Sequence, residues 1–172
     1  MNTQIESATT PAAVHRGPHP GMLAILYTVL FCAGLYPVTL FYKLPYWPGP
    51  WESASTIVPF FQTQGARVVL CEFLQLGAMV CLGLFTATVV SRLHFLGARA
   101  AGISIPAAFM KLLPKWLIVF GLILAAAGEL SWFHLLVYPK LLFLIPLVRF
   151  PGFIWLIAVG FLLPKTRRPA SI

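Results

Sequence analysis

Long apolar runs with few or no charged residues constrain this chain more than any other feature. Residues 21–42 carry no charged side chain, and about 22 residues at a rise of 1.5 Å each reach about 33 Å as a helix. That length matches the hydrocarbon core of a bilayer, which about 20 apolar residues cross. Three later runs have similar length, at 68–90, 116–138 and 141–163. The pattern predicts an all-α polytopic membrane protein, a bundle of four transmembrane helices.

The composition points the same way. Of the 172 residues, 59% are hydrophobic and 9% are charged, whereas a soluble domain is about 45–50% apolar and about 25% charged. Disordered chains, coiled coils and almost all soluble domains are thereby excluded. The net charge of +8 does not form a basic stripe interleaved with aromatics, so no nucleic-acid partner is expected. The expected partners are the lipid bilayer and a second copy of the chain or other membrane subunits.

The segments outside the apolar runs divide the chain further. Residues 1–20 are polar and predict a flexible tail, in which a metal clip formed by His15 and His19 is the less favoured alternative. Residues 43–66 are rich in Pro and aromatics, which argues against a continuous helix and favours an ordered outer loop, with a carbohydrate or peptide platform as the alternative. Residues 91–115 form a basic inner loop and residues 164–172 a basic tail. One membrane domain therefore covers residues 21–163.

The distribution of basic residues predicts the orientation. With the N-terminus inside, eight Lys and Arg residues fall in inner segments and three in outer loops. Inner loops of membrane proteins carry this excess. We therefore expect both termini in the cytoplasm and a location in the cell membrane.

Two charges in the last two predicted spans are expected to meet. Glu129 lies ten residues before Pro139 and Arg149 ten after it, so a helical hairpin would place them at the same depth. An ion pair lowers the cost of two charges in lipid. Such a pair either fixes helix register or serves function, and the first reading is favoured. Pro146 and Pro151 flank Arg149 and predict a helix break, whose freed carbonyls could line a polar cavity.

Three more polar residues are candidates for such a cavity. Glu72 and Gln75 lie one turn apart near the start of the second span, and His134 lies near the end of the third. Packing or capping of its helix is the favoured role of Glu72 over a proton relay, and Gln75 could hydrogen-bond across helices. An interfacial position is the favoured interpretation of His134, with pH sensing as the alternative. Small residues four apart, Gly83 with Ala87 and Gly121 with Ala125, predict close helix packing.

No catalytic motif is present. The sequence lacks GxSxG, HExxH, P-loop and GxGxxG patterns, Asp is absent, and the three Cys have no metal-ligand spacing. No cofactor, metal site or catalytic residue is expected. The favoured function is a non-enzymatic accessory or assembly component. The alternative is a small oligomeric transporter-like protein with an outward-facing polar cavity, and an enzyme of unusual type ranks last.

Several stretches resemble a known family. They include Glu72–Gly77, Gly83–Arg92, Leu112–Trp116, Gly128–Ser131 and Phe150–Trp155. These resemble uncharacterised bacterial polytopic membrane proteins that carry a domain of unknown function. The resemblance implies a bacterial cytoplasmic membrane location and no established activity. Because relatives have further spans before the Leu-Pro-Lys-Trp stretch, it also implies a shortened member that has lost a helical hairpin.

Overall fold

The computed structural model describes residues 13–39, 48–49, 51–98, 109, 111–131, 133 and 143–166. Within them the chain forms four helices and no strand, which confirms the all-α prediction. The helices are α1 (Pro20–Thr39), α2 (Ala54–Phe95), α3 (Lys115–Ser131) and α4 (Leu144–Leu162). Within the described part, α2 and α4 are the two helices long and apolar enough to cross a membrane. A bundle of four spans is therefore not confirmed.

Helix α2 starts much earlier than predicted. The sequence predicts a loop over 43–66, yet residues 54–66 are helical and continue into the predicted second span. Ser53 has the extended backbone of an N-cap residue, and its carbonyl accepts the Thr56 N–H at 2.9 Å. Pro59 lies inside the helix, where it removes one backbone hydrogen bond without ending it. The prediction of an ordered loop is thus wrong for residues 54–66.

Helix α4 also runs through its prolines. It is helical from Leu144 to Leu162, with Pro151 inside it, so the predicted break at Arg149 does not occur. Helix α2 likewise continues through Ser91 to Phe95, the first residues of the predicted inner loop. The predicted end of the third span beyond Phe133 lies outside the described residues.

Two apolar clusters hold the helices in an alternating up-and-down arrangement. The first joins the beginning of α1 and α3 to the end of α2 and α4, through Ala24, Phe85, Val89, Leu93, Leu113, Leu117, Val159 and Leu163. The second lies further along, with Tyr27, Phe31, Ala78, Cys81 and Phe153. Since residue numbers rise between the clusters in α1 and fall in α2 and α4, α1 is antiparallel to both of these neighbours.

Basic side chains gather at the end of the bundle nearest the first cluster. We call this the basic end and define it by Arg16, Arg92, Lys115 and Lys165. The N-terminal segment reaches it through an antiparallel bridge between Val14 and Thr166. Both described ends of the chain therefore meet at the same end of the molecule.

Candidate functional site

An open groove of about 420 Å³ lies between α3 and α4. Its lining is apolar apart from Arg149, Ser131 and Tyr27, and Tyr27 belongs to α1. The volume falls within the range of small-molecule sites, about 300–1,000 Å³. This groove is the candidate site.

Close packing at one end of the groove fixes the spacing of its two helices. The Trp155 indole N–H donates to the Leu117 carbonyl at 2.8 Å. A Cβ at Gly121 would lie 2.6 Å from Trp155 Nε1, so only glycine admits this contact. The predicted close packing at Gly121 is therefore confirmed. Further along, a Cβ at Gly152 would meet nothing within 4 Å, which leaves the groove open there.

Arg149 is held by aromatic rings. Its guanidinium carbon lies 4.8 Å from the centre of the Phe31 ring, a cation–π contact. Phe31 in turn packs against Phe153 at 5.3 Å between ring centres, and Tyr27 packs against Phe153 at 5.5 Å. Arg149 is an exposed side chain whose head is thus oriented by α1.

The pairing of Arg149 with Glu129 is not confirmed. Glu129 is exposed on α3 and does not line the groove. Within the residues that the structure describes, Arg149 contacts the Phe31 ring and no ion pair joins it to Glu129. The pair stays a prediction.

The other predicted polar residues lie elsewhere. Glu72 is exposed and Gln75 half-buried on α2, where Gln75 faces α1: a Cβ at Gly34 would lie 3.4 Å from Gln75 Cγ. His134 lies outside the described residues. Of the five residues predicted from the sequence, Arg149 is the one among the described residues that lines the groove.

The basic end contains a buried cation that the sequence analysis assigned to a loop. Arg92 is 1% exposed, and its Nη1 donates to the Leu163 carbonyl at 3.3 Å. Leu163 caps the C-terminus of α4, where the helix dipole favours a positive charge. The Nε atom of Arg92 has no hydrogen-bond partner within the described part of the chain.

The polar N-terminal segment is docked at this end, contrary to the prediction of a solvated tail over its described part. The His15 N–H donates to the Lys165 carbonyl at 3.1 Å, and His15 Nε2 lies 3.0 Å from Ser91 Oγ. His15 also packs edge-on against Phe95 at 5.5 Å. Residues 1–12 lie outside the described residues.

His19 caps the first helix. Its Nδ1 accepts the Gly21 N–H at 3.1 Å, and its ring lies 4.8 Å from that of Phe161. Burial, and then the charges of Lys165 and Arg92, hold the pKa of His19 below its usual value. The neutral ring is the form that can accept this hydrogen bond.

The buried position of Arg92 could have been predicted from the sequence. Phe85, Val89 and Arg92 follow helical spacing, which places Arg92 on the buried face of α2. Nothing comparable marks His15 or His19, because their contacts join segments about 76 and 142 residues apart.

Comparison with known proteins adds no relative. No family model, curated protein or solved structure matches the chain. The resemblance to uncharacterised bacterial membrane proteins therefore stays a prediction. Among the described residues, no group of three His, Cys, Asp or Glu side chains could hold a metal ion.

Proposed function

We propose that this chain is an integral membrane protein that acts without catalysis, as an accessory or assembly component of the bacterial cytoplasmic membrane. One observation carries the proposal: in the most apolar 18-residue stretch of α2, only 22% of the residues are buried within the protein. A core helix of a soluble protein would be mostly buried. At 42 residues, α2 is also far longer than the apolar part of a signal peptide, about 7–15 residues.

One face of α2 shows what such a helix would present to lipid. Val69, Phe73, Leu76 and Val80 follow helical spacing and are 57–71% exposed. A stripe of exposed apolar side chains like this one, with the exposed Glu72 at its edge, is rare on soluble monomers, whereas lipid tails solvate its apolar side chains without cost. In our proposal the basic end lies at the cytoplasmic surface with both termini, as the excess of Lys and Arg favours.

The length of α2 supports the accessory role. A 42-residue helix is about 63 Å long, about twice the hydrocarbon thickness of a bilayer. Part of it must therefore tilt strongly or extend beyond the membrane. Residues 54–66 precede the predicted span and present the exposed side chains of Val58 and Phe61. A second protein subunit would cover these side chains.

Two measurements test this proposal. After alkaline carbonate extraction of membranes, the chain should stay in the pellet; release into the supernatant would refute membrane integration. A photo-crosslinking amino acid at Phe61 should then yield a protein adduct, and one at the lipid-facing Val69 should not. If the chain stays in the membrane pellet but position 61 yields no protein adduct, the chain is integral and the accessory role is rejected.

A further inference from the structure

The groove between α3 and α4 contains the cation of Arg149, which has no acidic partner among the described residues. Part of its wall is formed by a glycine, which has no side chain. Arg149 contacts Phe31, and within the described residues no carboxylate pairs with it. Gly152, three residues further along α4, faces open space. A ligand for this groove therefore needs an anionic group and an apolar part.

The positions along α4 fix how these two parts would lie. Arg149 is the sixth residue of the helix, about 7.5 Å from its beginning along the axis. The guanidinium lies against the Phe31 ring, and an arginine side chain at that depth is long enough to reach the interface, where lipid phosphates lie. Phe153 and Leu156 continue the groove along α4, about 6 and 10 Å beyond Arg149. The charged end of the groove is thus near the interface and its apolar part lies deeper.

We propose that this groove binds an anionic phospholipid, with the headgroup phosphate on Arg149 and one acyl chain along the gap at Gly152. A guanidinium binds phosphate oxygens in a bidentate manner. A headgroup with net negative charge neutralises Arg149, which a zwitterionic headgroup does not. A volume of about 420 Å³ accepts one acyl chain and leaves the other in the bilayer. The inference rests on the proposed membrane location.

A substitution at Gly152 can block the groove without changing its charge. Leu introduced at Gly152 would extend into open space and occupy the acyl path. Gly83 on α2 is the matched control, because a Cβ there also meets nothing within 4 Å and Gly83 does not line the groove.

The experiment is a titration of the full chain in detergent micelles, followed by native mass spectrometry. The probes are palmitoyl-oleoyl phosphatidylglycerol, the matching phosphatidylcholine and free oleate. Wild type should prefer phosphatidylglycerol. Arg149→Gln should weaken its binding about tenfold and remove the headgroup preference, as the loss of one charge-assisted contact does. Arg149→Lys should retain part of that preference.

Gly152→Leu should bind both phospholipids about tenfold more weakly, because the leucine displaces the acyl chain from part of its apolar contacts. Gly83→Leu should bind them as tightly as wild type. Unchanged phosphatidylglycerol binding in Gly152→Leu with a native melting temperature would overturn the proposal. If that variant does not fold, Arg149→Gln decides alone.

Two other results would also reject the inference. Binding that survives in Arg149→Gln but is lost in Lys115→Gln with Lys165→Gln would place the lipid at the basic end. Tighter binding of oleate than of phosphatidylglycerol, with the same dependence on Arg149 and Gly152, would identify a free fatty acid instead. Because the titration uses micelles, its failure is independent of the carbonate test of membrane integration.

Discussion

Arg92 and Arg149 show how differently two arginines of one chain are accommodated. Arg92 is buried and donates to the carbonyl that ends α4, whereas Arg149 is exposed and stacks on an aromatic ring. In the first case a helix terminus supplies the negative partner. In the second, the Phe31 ring faces one side of the guanidinium, and the side chain stays exposed.

Because of His19, we expect the stability of the folded protein to depend on pH. Its neutral Nδ1 caps α1, and its pKa in the folded protein is lowered by burial and by the charges of Lys165 and Arg92. The unfolded chain therefore binds a proton more readily. The stability contributed by His19 is fully present above its unfolded pKa of about 6.5 and is lost as the pH falls through the lower folded value.

Thermal unfolding in detergent between pH 7.5 and 5 checks this expectation. Wild type should lose stability on acidification, and His19→Asn should lose less, because Asn caps a helix without titrating. The exposed His94 provides the control, since His94→Asn should keep the wild-type dependence. Equal pH dependence in all three proteins would contradict the assignment to His19.

At the element scale, two glycines on different helices face opposite surroundings. A Cβ at Gly160 of α4 would lie 2.5 Å from the Gly21 nitrogen of α1. A Cβ at Gly83 of α2 would meet nothing within 4 Å, and Ala87 is exposed. The pair Gly83 and Ala87 therefore packs no helix within the described chain, although its spacing predicts close packing.

Substitution of these two glycines should change stability in opposite directions. Gly160→Ala must separate the backbones of α1 and α4 and should lower the free energy of unfolding by about 1–3 kcal/mol. Gly83→Ala adds no contact and should raise helix stability by up to about 1 kcal/mol. Melting temperatures in one detergent compare the two, and a Gly160→Ala protein as stable as wild type would refute the close crossing of α1 and α4.

At the scale of the whole molecule, the bridge between Val14 and Thr166 places both described ends of the chain together. Residues opposite each other in an antiparallel pair have Cα atoms about 4.5–5.5 Å apart, a separation that suits a disulfide. With Cys32, Cys71 and Cys81 replaced by Ala, Val14→Cys combined with Thr166→Cys should cross-link on mild oxidation.

Ser131, at the far end of α3, supplies the control for this measurement. Val14→Cys combined with Ser131→Cys should stay reduced under the same conditions, as judged by mobility on a non-reducing gel. Failure of the first pair to cross-link in native membranes would contradict the up-and-down arrangement and the proposed placement of both termini on one side.

The prediction of helices succeeded where it depended on local composition. The runs at 21–42 and 141–163 became α1 and α4 with nearby limits, because a long apolar run forms a helix that satisfies its own backbone hydrogen bonds, even with the single charge of Arg149 in the second run. It failed at 54–66, where the single Pro59 weakens a helix that apolar contacts such as those of Phe60 sustain. Proline density alone does not measure that balance.

The all-α class, the apolar runs and the grouping of basic residues at alternate segment ends follow from the order of the amino acids alone. The contact of Arg149 with Phe31 and the docking of His15 and His19 depend on how the helices pack. The physical reason is that α1 and α4 are apolar around nearly their whole circumference. A helix of that kind has no single face that its sequence marks for packing, so its rotation is set by the neighbours it meets.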